Sequence, residues 1–247
     1  MRYALFFTVI VLANIIQGIT GFAGTILAMP ASLLLVGYGI AKPVLNVLGV
    51  LSGVYVFVGN SKSVNWKEFG IIAACMTVGI FTGIWCKQYF AGKEYILYKG
   101  LGVFVILIAI QGLFTMLCNR NAAENTAPGK NNKVMIALLP LAGIVHGIFV
   151  CGGPLLISYL IKRINDKVVF RATISTVWIV LNTIIFIDDF HNGYFTMSLL
   201  PVLLIAVPLL FVGMMIGTAL YKRMNQRLFM LLTYVLLFIS GATLLIK

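Results

Sequence analysis

Long apolar runs, separated by short polar stretches, account for almost the whole chain. The runs span residues 3–17, 22–36, 43–59, 69–86 and 100–118, and then 134–148, 154–161, 168–187, 196–221 and 228–246. A helix needs about 20 largely apolar residues to cross a bilayer, and most of these runs approach that length. The pattern therefore predicts an all-α integral membrane protein.

The clearly hydrophilic stretch at residues 119–133 divides the chain into an N-terminal repeat, 1–118, and a C-terminal repeat, 134–247. Each half opens with an apolar run that is broken by glycines and followed by a proline. The fourth run of each half carries a glycine pair, Gly79 with Gly83 and Gly213 with Gly217, and the pairs lie 134 residues apart. Small residues at this spacing allow close helix contacts in lipid. The matched order favours duplication over convergent use of glycine.

The number of crossings depends on how each broken run is interpreted. If each is one interrupted crossing, the chain has about eight transmembrane crossings in two homologous four-helix repeats. Repeats with an even number of crossings are parallel. Most of the 18 basic residues, including Lys42, then lie inside, while the loop with Asp188 and Asp189 and both termini lie outside the plasma membrane. The alternative folds each broken run into a re-entrant hairpin, which gives inverted repeats.

Composition supports a membrane protein and argues against other classes. Charged residues make up 10% of the chain and apolar residues 61%, with a mean hydropathy of +1.06, whereas soluble domains carry about 25% charged residues. The net charge of +12 comes from clusters between apolar runs, where basic residues set orientation and meet anionic lipids. No nucleic-acid partner is expected. The four cysteines form no C-x-x-C pair, so no metal site, disulfide framework or cofactor is predicted.

The two breaks carry the candidate chemistry. The first reads GITGFAGTILAMP, residues 18–30, and the second reads GIVHGIFVCGGP, residues 143–154. Glycine-rich backbone at membrane depth is tolerated where it is buried in protein or lines a cavity. A half-helix that starts after each break would direct its N–H groups and dipole at an anion. Discontinuous helices at matched places in two halves indicate a transporter site, although the glycines could also serve only for packing or kinking.

The paired breaks resemble the signature of the TauE/SafE family of sulfite and organosulfonate exporters. That family carries motifs of the form G-x-x-G-[FI]-G-G-x-x-x-x-x-P near the start of each half. The matching residues are Gly18, Gly21, Phe22, Gly24 and Pro30, and then Gly143, Gly147, Gly152, Gly153 and Pro154. Ala23 and Cys151 stand where the family often has glycine. The resemblance covers essentially the whole chain and implies transport of small sulfur-containing anions without ATP.

The predicted substrate site combines residues at both breaks with polar residues nearby. Its members are Thr20, Gly21, Phe22, Gly24, Thr25, Asn46, His146, Cys151, Gly152, Gly153, Pro154 and Arg171. His146 is ionisable inside an apolar run, so it is also the candidate for proton coupling, with a structural histidine as the alternative. Arg171 either binds the anion or extends to the inner surface. Asn14 and Gln17 are further amides close to the first break.

The predicted function is a secondary transporter, by the resemblance an exporter, that works by alternating access around a midplane site formed by the two breaks. Its partners are the small anionic substrate and the lipid bilayer, and homo-oligomer formation is left open. The alternatives are transport of another small anion or solute, an intramembrane enzyme and an accessory subunit. The chain has no H-E-x-x-H, G-x-S-x-G or Walker motif, which argues against an enzyme.

Overall fold

A computed structural model describes residues 2–90, 132–150 and 152–246, together with 99, 103, 106–107, 109–110 and 113–114. These residues form helices joined by short turns, with no strand among them. The helices are α1 (Arg2–Thr20), α2 (Ala23–Val36), α3 (Tyr38–Asn60), α4 (Trp66–Phe90), α5 (Asn132–Phe149), α6 (Gly153–Leu160), α7 (Lys167–His191), α8 (Leu200–Arg223) and α9 (Gln226–Ile246). Single 3-10 turns precede α4 and α8, at Ser61–Ser63 and Met197–Leu199.

Five stretches in the described part of the chain are long and apolar enough to cross a membrane. They are Arg2–Thr20, Tyr38–Ser63, Trp66–Trp85, Lys167–His191 and Met197–Arg223. The first has 19 residues, about 28 Å of helix, which is close to the thickness of a hydrocarbon core. The all-helical membrane fold is therefore confirmed for these residues. The number of eight crossings stays a prediction.

The helices group into two compact units that do not follow the two halves of the sequence. The first unit consists of the residues up to Phe69 and of Arg171–Arg223, and the second of Gly70–Phe170 and the residues from Met224 onward. Each unit thus takes helices from both halves. The prediction that residues 1–118 and 134–247 are homologous repeats is not tested by this division. The compact units do not coincide with the two repeats.

Both broken runs fold back on themselves. A Cβ added at Gly24, near the start of α2, would lie 2.7 Å from the carbonyl oxygen of Ala13, about two turns before the end of α1. A Cβ added at Gly152, just before α6, would lie 2.2 Å from the carbonyl oxygen of Ala142 in α5. A helix that continued in the same direction could not make these contacts. The chain therefore reverses at each break, which contradicts one interrupted crossing per run and favours the hairpin alternative; whether the hairpins re-enter the membrane stays a prediction.

Helices α3 and α7, which follow the two hairpins, run antiparallel within the first unit. Near the start of α3, Lys42 contacts Asp189 near the end of α7. Beyond the other end of α3, the N–H of Asn65 donates to Oγ1 of Thr173 at 2.9 Å. Corresponding helices of parallel repeats would run in the same direction. The predicted parallel arrangement is thus wrong for this pair. It assumed that each broken run crosses the membrane once, whereas the chain turns back within each run.

The same contacts correct the predicted position of Lys42. The sequence interpretation placed Lys42 inside and Asp189 outside, and two side chains in contact cannot lie on opposite sides of a membrane. Lys62 and Lys67 flank Asn65, so they lie at the end of this unit that also holds the start of α7. Lys42 therefore belongs with the acidic loop, and Lys62 and Lys67 belong with the basic end.

The small residues predicted to allow close helix contacts do so. In the first unit α8 lies against α1, and a Cβ added at Gly217 would lie 2.2 Å from the carbonyl oxygen of Ile15. In the second unit α4 lies against α5, and a Cβ at Gly83 would lie 2.5 Å from the carbonyl oxygen of Ile144. The glycine pair of each half therefore packs on the hairpin of the other half, which explains why each unit takes helices from both halves.

Candidate functional site

Gln17 stabilises the first hairpin from inside. Its Oε1 accepts from the N–H of Gly24 at 2.8 Å, and its Nε2 donates to the carbonyl oxygen of Gly21 at 3.3 Å. Nε2 also donates to Oγ of Ser52 on α3 at 3.2 Å, and that hydroxyl donates to the carbonyl oxygen of Gly49 at 2.9 Å. One side-chain amide thus connects α1, the turn, α2 and α3.

Thr20 caps the start of α2. Its Oγ1 accepts from the N–H groups of Phe22 at 3.3 Å and Ala23 at 3.2 Å, and it donates to the carbonyl oxygen of Ile16 at 2.9 Å. Together with the bond from Gly24 to Gln17, these contacts satisfy the first N–H groups of the half-helix, as N-cap side chains do. These backbone N–H groups, which the sequence predicted to bind an anion, are therefore hydrogen-bonded to side chains of α1.

A small cavity lies between the hairpin and α3. It is lined by Ala13, Asn14 and Gln17 of α1, by Gly24, Thr25 and Ala28 of α2, and by Leu45, Leu48, Gly49 and Ser52 of α3. The space open to the centre of a water molecule is about 10 Å³, which is room for about one water. The polar groups of the lining are amides and hydroxyls, which can hydrogen-bond an oxyanion or a neutral polar solute. The three helices therefore form a small polar site with room for about one water.

Asn46 lies beside this cavity, on the contact between α3 and α7. Its Nδ2 donates to the carbonyl oxygen of Asn182 at 3.2 Å, and its buried Oδ1 has no hydrogen-bond partner among the described residues. A Cβ added at Gly49, one turn further along α3, would lie 2.6 Å from Nδ2 of Asn182 and 3.8 Å from Oγ1 of Thr25. The absence of a side chain at Gly49 thus brings Asn182 next to the cavity lining.

Arg171 lies behind the turn of the hairpin and does not line the cavity. It is 3% exposed, and its Cγ would lie 3.2 Å from a Cβ added at Gly21. Its Nη2 donates to Oγ1 of Thr218 at 2.9 Å, and its guanidinium carbon lies 4.5 Å from the centre of the Tyr221 ring. Its Nε has no hydrogen-bond partner among the described residues. Arg171 therefore places a buried positive charge close to the turn.

The second hairpin repeats the backbone pattern of the first, with different side chains. The N–H of Val150 donates to the carbonyl oxygen of His146 at 2.7 Å, just as the N–H of Gly21 donates to that of Gln17 at 2.7 Å. His146 is 2% exposed, and its Cβ would lie 2.7 Å from a Cβ added at Gly152. His146 is thus the counterpart of Gln17. The sequence did not reveal this relation, because seven positions separate Gln17 from Gly24 and six separate His146 from Gly152.

The predicted site residues divide between the units. Those in the first unit are Thr20, Gly21, Phe22, Gly24, Thr25, Asn46 and Arg171, and those in the second are His146, Gly152, Gly153 and Pro154. Pro154 stands at the first turn of α6, and Cys151 lies outside the described residues. That the two hairpins form one substrate site stays a prediction, as does proton coupling through His146. Among the described residues, no group of side chains is suited to hold a metal ion.

The sequence interpretation missed two features of this region. Ser52 lines the cavity, and its helical spacing from Asn46 and Gly49 was the signal that could have identified it. The contact of Lys42 with Asp189 joins residues 147 positions apart, and nothing local in the sequence indicates it.

Polar groups held by folded-back hairpins among apolar helices are typical of membrane transporters. The family model described as sulfite exporter TauE/SafE matches residues 6–244, and the chain belongs to that family. It is 26% identical over 186 residues to the probable inner membrane transporter protein TsaS of Comamonas testosteroni, which covers 75% of this chain and 74% of the relative. No solved structure matches the chain.

Proposed function

We propose that this membrane transporter carries small sulfur-containing anions, such as sulfite or organosulfonates, by alternating access around its two hairpins. Membership of the sulfite exporter TauE/SafE family supports the substrate class. The cavity between α1, α2 and α3 is the observation that carries the proposal, because it brings side-chain amides and hydroxyls together between apolar helices. Polar groups in such a place are costly unless they serve a function.

Hydrogen bonds from neutral donors would hold the anion in this cavity. The amides of Asn14 and Gln17 and the hydroxyls of Thr25 and Ser52 face it. Without a ligand, Nε2 of Gln17 donates to Oγ of Ser52. A bound oxyanion would replace this contact by accepting from both groups. The Arg171 guanidinium near the turn would add a favourable field without touching the substrate.

Movement of the hairpins would expose the site to each side in turn. The close contacts of Gly18 with α8 and of Gly143 with α4 allow each hairpin to turn against its neighbour without large side chains in the way. By the positive-inside rule, the basic end of the first unit would lie inside the cell. Both chain ends are then outside in the plasma membrane, which in a bacterium is the inner membrane, as in the name of the relative.

Ligand binding by purified protein tests the proposal. Sulfite, methanesulfonate, sulfate and chloride are added separately, and thermal stability is measured; a ligand at 100 times its Kd adds about 2.7 kcal/mol. We expect selective stabilisation by a sulfur anion and uptake of that anion into proteoliposomes. Ser52→Ala should weaken binding about tenfold, because it removes one donor worth roughly 1–1.5 kcal/mol.

Thr8→Val is the matched control. Its hydroxyl is exposed on α1 and donates to the carbonyl oxygen of Ala4, so binding should not change. Equal binding by Ser52→Ala and wild type would place the substrate elsewhere. Because the lining has no charged side chain among its residues, a neutral polar solute is the second candidate. Stabilisation by neutral amides or polyols, with no response to the anions, would favour it.

A further inference from the structure

A fully buried ion pair lies at one end of the α3–α7 contact. Lys42 and Asp189 are each 0% exposed, and Nζ of Lys42 donates to Oδ1 of Asp189. Nζ also lies 5.9 Å from the centre of the Tyr38 ring and 5.3 Å from that of Tyr194. Each buried charge depends on the other, because removing one partner leaves an uncompensated charge in a medium of low polarity.

Lys42 lies on the face of α3 that contacts α7, next to the face that lines the cavity. Leu45, Gly49 and Ser52 line it and follow Lys42 at helical spacing. Leu45 is less than one turn away, about 4.5 Å of helical rise. The partner helix α7 carries Asp189 and, two turns earlier, Asn182, which accepts from Asn46. Of the two helices that hold the ion pair, α3 therefore lines the candidate substrate site, and α7 contacts α3 beside it.

We propose that binding of an anion in this cavity is coupled to the uptake of one proton by Asp189, with Lys42 as the counter-charge of the anion. The inference rests on the proposed function. The lining residues of the cavity carry no charge, so an anion that leaves water for it needs a positive partner. Arg171 lies behind the turn, where its Nη2 donates to Thr218. Lys42 is the buried ammonium on α3, the helix that supplies Leu45, Gly49 and Ser52 to the lining. It can serve the anion only after Asp189 has been neutralised.

The exchange balances in charge and in protons. A proton from the aqueous phase bonds to the Asp189 carboxylate, the contact with Lys42 opens, and the Lys42 ammonium pairs with a sulfonate oxygen. One anion and one proton enter together, so the net charge of the site does not change. The flexible four-carbon stem of lysine gives the ammonium the reach for this exchange.

The neighbouring titratable groups do not take the place of Asp189 in this exchange. Tyr38 and Tyr194 flank Lys42 with their rings. On α7, Asp188 is half-buried and accepts from Nδ2 of Asn192 at 2.9 Å, and His191 is exposed. Among these described groups, Asp189 is the carboxylate that is buried against the ammonium.

Calorimetry on the purified full chain tests the coupling. Methanesulfonate, and benzenesulfonate as a larger alternative, stay ionised near neutral pH and so release no proton of their own. Titration in buffers of different ionisation enthalpy counts the protons taken up per anion bound. We expect about one proton, and an affinity that falls about tenfold per unit rise in pH while Asp189 is ionised in the free protein.

Three variants test which residue takes up the proton. Asp189→Asn keeps the shape of the side chain without titrating, so it should bind sulfonate with no proton uptake and with an affinity independent of pH. Lys42→Gln should weaken binding at least tenfold. Asp188→Asn is the matched control on the adjacent, half-buried carboxylate, and it should still take up one proton per anion.

The following results would contradict the proposed coupling of anion binding to proton uptake. Sulfonate binding by wild type without proton uptake, or undiminished uptake in Asp189→Asn, overturns it and leaves the transport proposal in place. Failure of wild type to bind any sulfur anion overturns both. If Asp189→Asn does not fold, the proton count and pH dependence of wild type decide alone, since a value near zero contradicts the coupling whatever the variants do.

Discussion

At the turn between α1 and α2, Gly21 has a φ of 82°, which favours glycine, and its surroundings are crowded. A Cβ there would lie 2.8 Å from Oγ of Ser175 and 3.2 Å from Cγ of Arg171. Gly37, between α2 and α3, has a φ of 76° but nothing within 4 Å of its Cβ position. The two residues therefore share a backbone conformation and differ in contacts.

This difference gives a prediction at the scale of single residues. Gly37→Ala should lower the free energy of unfolding by about 1 kcal/mol, because it adds only the strain of a left-handed conformation. Gly21→Ala should lower it by about 2–4 kcal/mol and impair transport, because contact with Ser175 and Arg171 adds to that strain. Denaturant titration of both variants in detergent measures the difference. Equal losses would mean that the turn at Gly21 is not packed as described.

At the scale of single residues, the sequence predicted the position of the turn. It did not predict the hydrogen bonds that stabilise it. Glycines among apolar residues identified the break near Gly21. The roles of Gln17 and Thr20 depend on α2 returning alongside α1, since their acceptors meet N–H groups only after that reversal. Hydrogen bonds that form through chain reversal leave no local pattern in the residues.

At the scale of elements, contacts between helices rest on glycines in α1 and α8. A Cβ at Gly217 would lie 2.2 Å from the carbonyl oxygen of Ile15 and 2.9 Å from Cα of Gly18. Backbone atoms cannot move aside as a flexible side chain can, so even alanine would force the two helices apart. Gly59 near the end of α3 has nothing within 4 Å of its Cβ position.

We therefore expect Gly217→Ala to lower the free energy of unfolding by about 1–3 kcal/mol and to slow transport, because the hairpin would lose the close contact on which it moves. Gly59→Ala is the control, and it should be neutral or slightly stabilising, by up to about 1 kcal/mol, since alanine favours helix. Unfolding and proteoliposome uptake are measured for both variants. A Gly217→Ala protein as stable as wild type would contradict the close packing of α1 and α8.

The pattern of apolar runs predicted the helices well, since each predicted run overlaps a helix wherever the chain is described. It did not predict their directions. Runs 3–17 and 22–36 are equally compatible with one interrupted crossing and with a hairpin, because apolar length does not record a reversal. The choice of one interrupted crossing gave α3 the wrong direction relative to α7. It therefore also put Lys42, Lys62 and Lys67 at the wrong ends of α7.

At the scale of the whole chain, the antiparallel α3 and α7 give the first unit a basic end and an acidic end. Lys62 and Lys67 lie beside the contact between Asn65 and Thr173, and Lys222 and Arg223 end α8, whose Thr218 contacts Arg171 near the start of α7. Asp188 and Asp189 lie at the opposite end, where Asp189 contacts Lys42. By the positive-inside rule we expect the basic end to face the cytoplasm.

Cysteine labelling separates this orientation from the parallel-repeat topology. In a background with Cys75, Cys86, Cys118 and Cys151 replaced by alanine, Met197→Cys, at an 89% exposed position, should react with an impermeant maleimide on intact cells. Lys62→Cys should react only after permeabilisation. The parallel topology puts both positions outside, so labelling of both on intact cells would contradict the antiparallel arrangement. Labelling of Lys62→Cys alone would keep the fold and reverse its orientation, and it would place the Lys42–Asp189 pair at the cytoplasmic end, where the proton of the coupled step would enter.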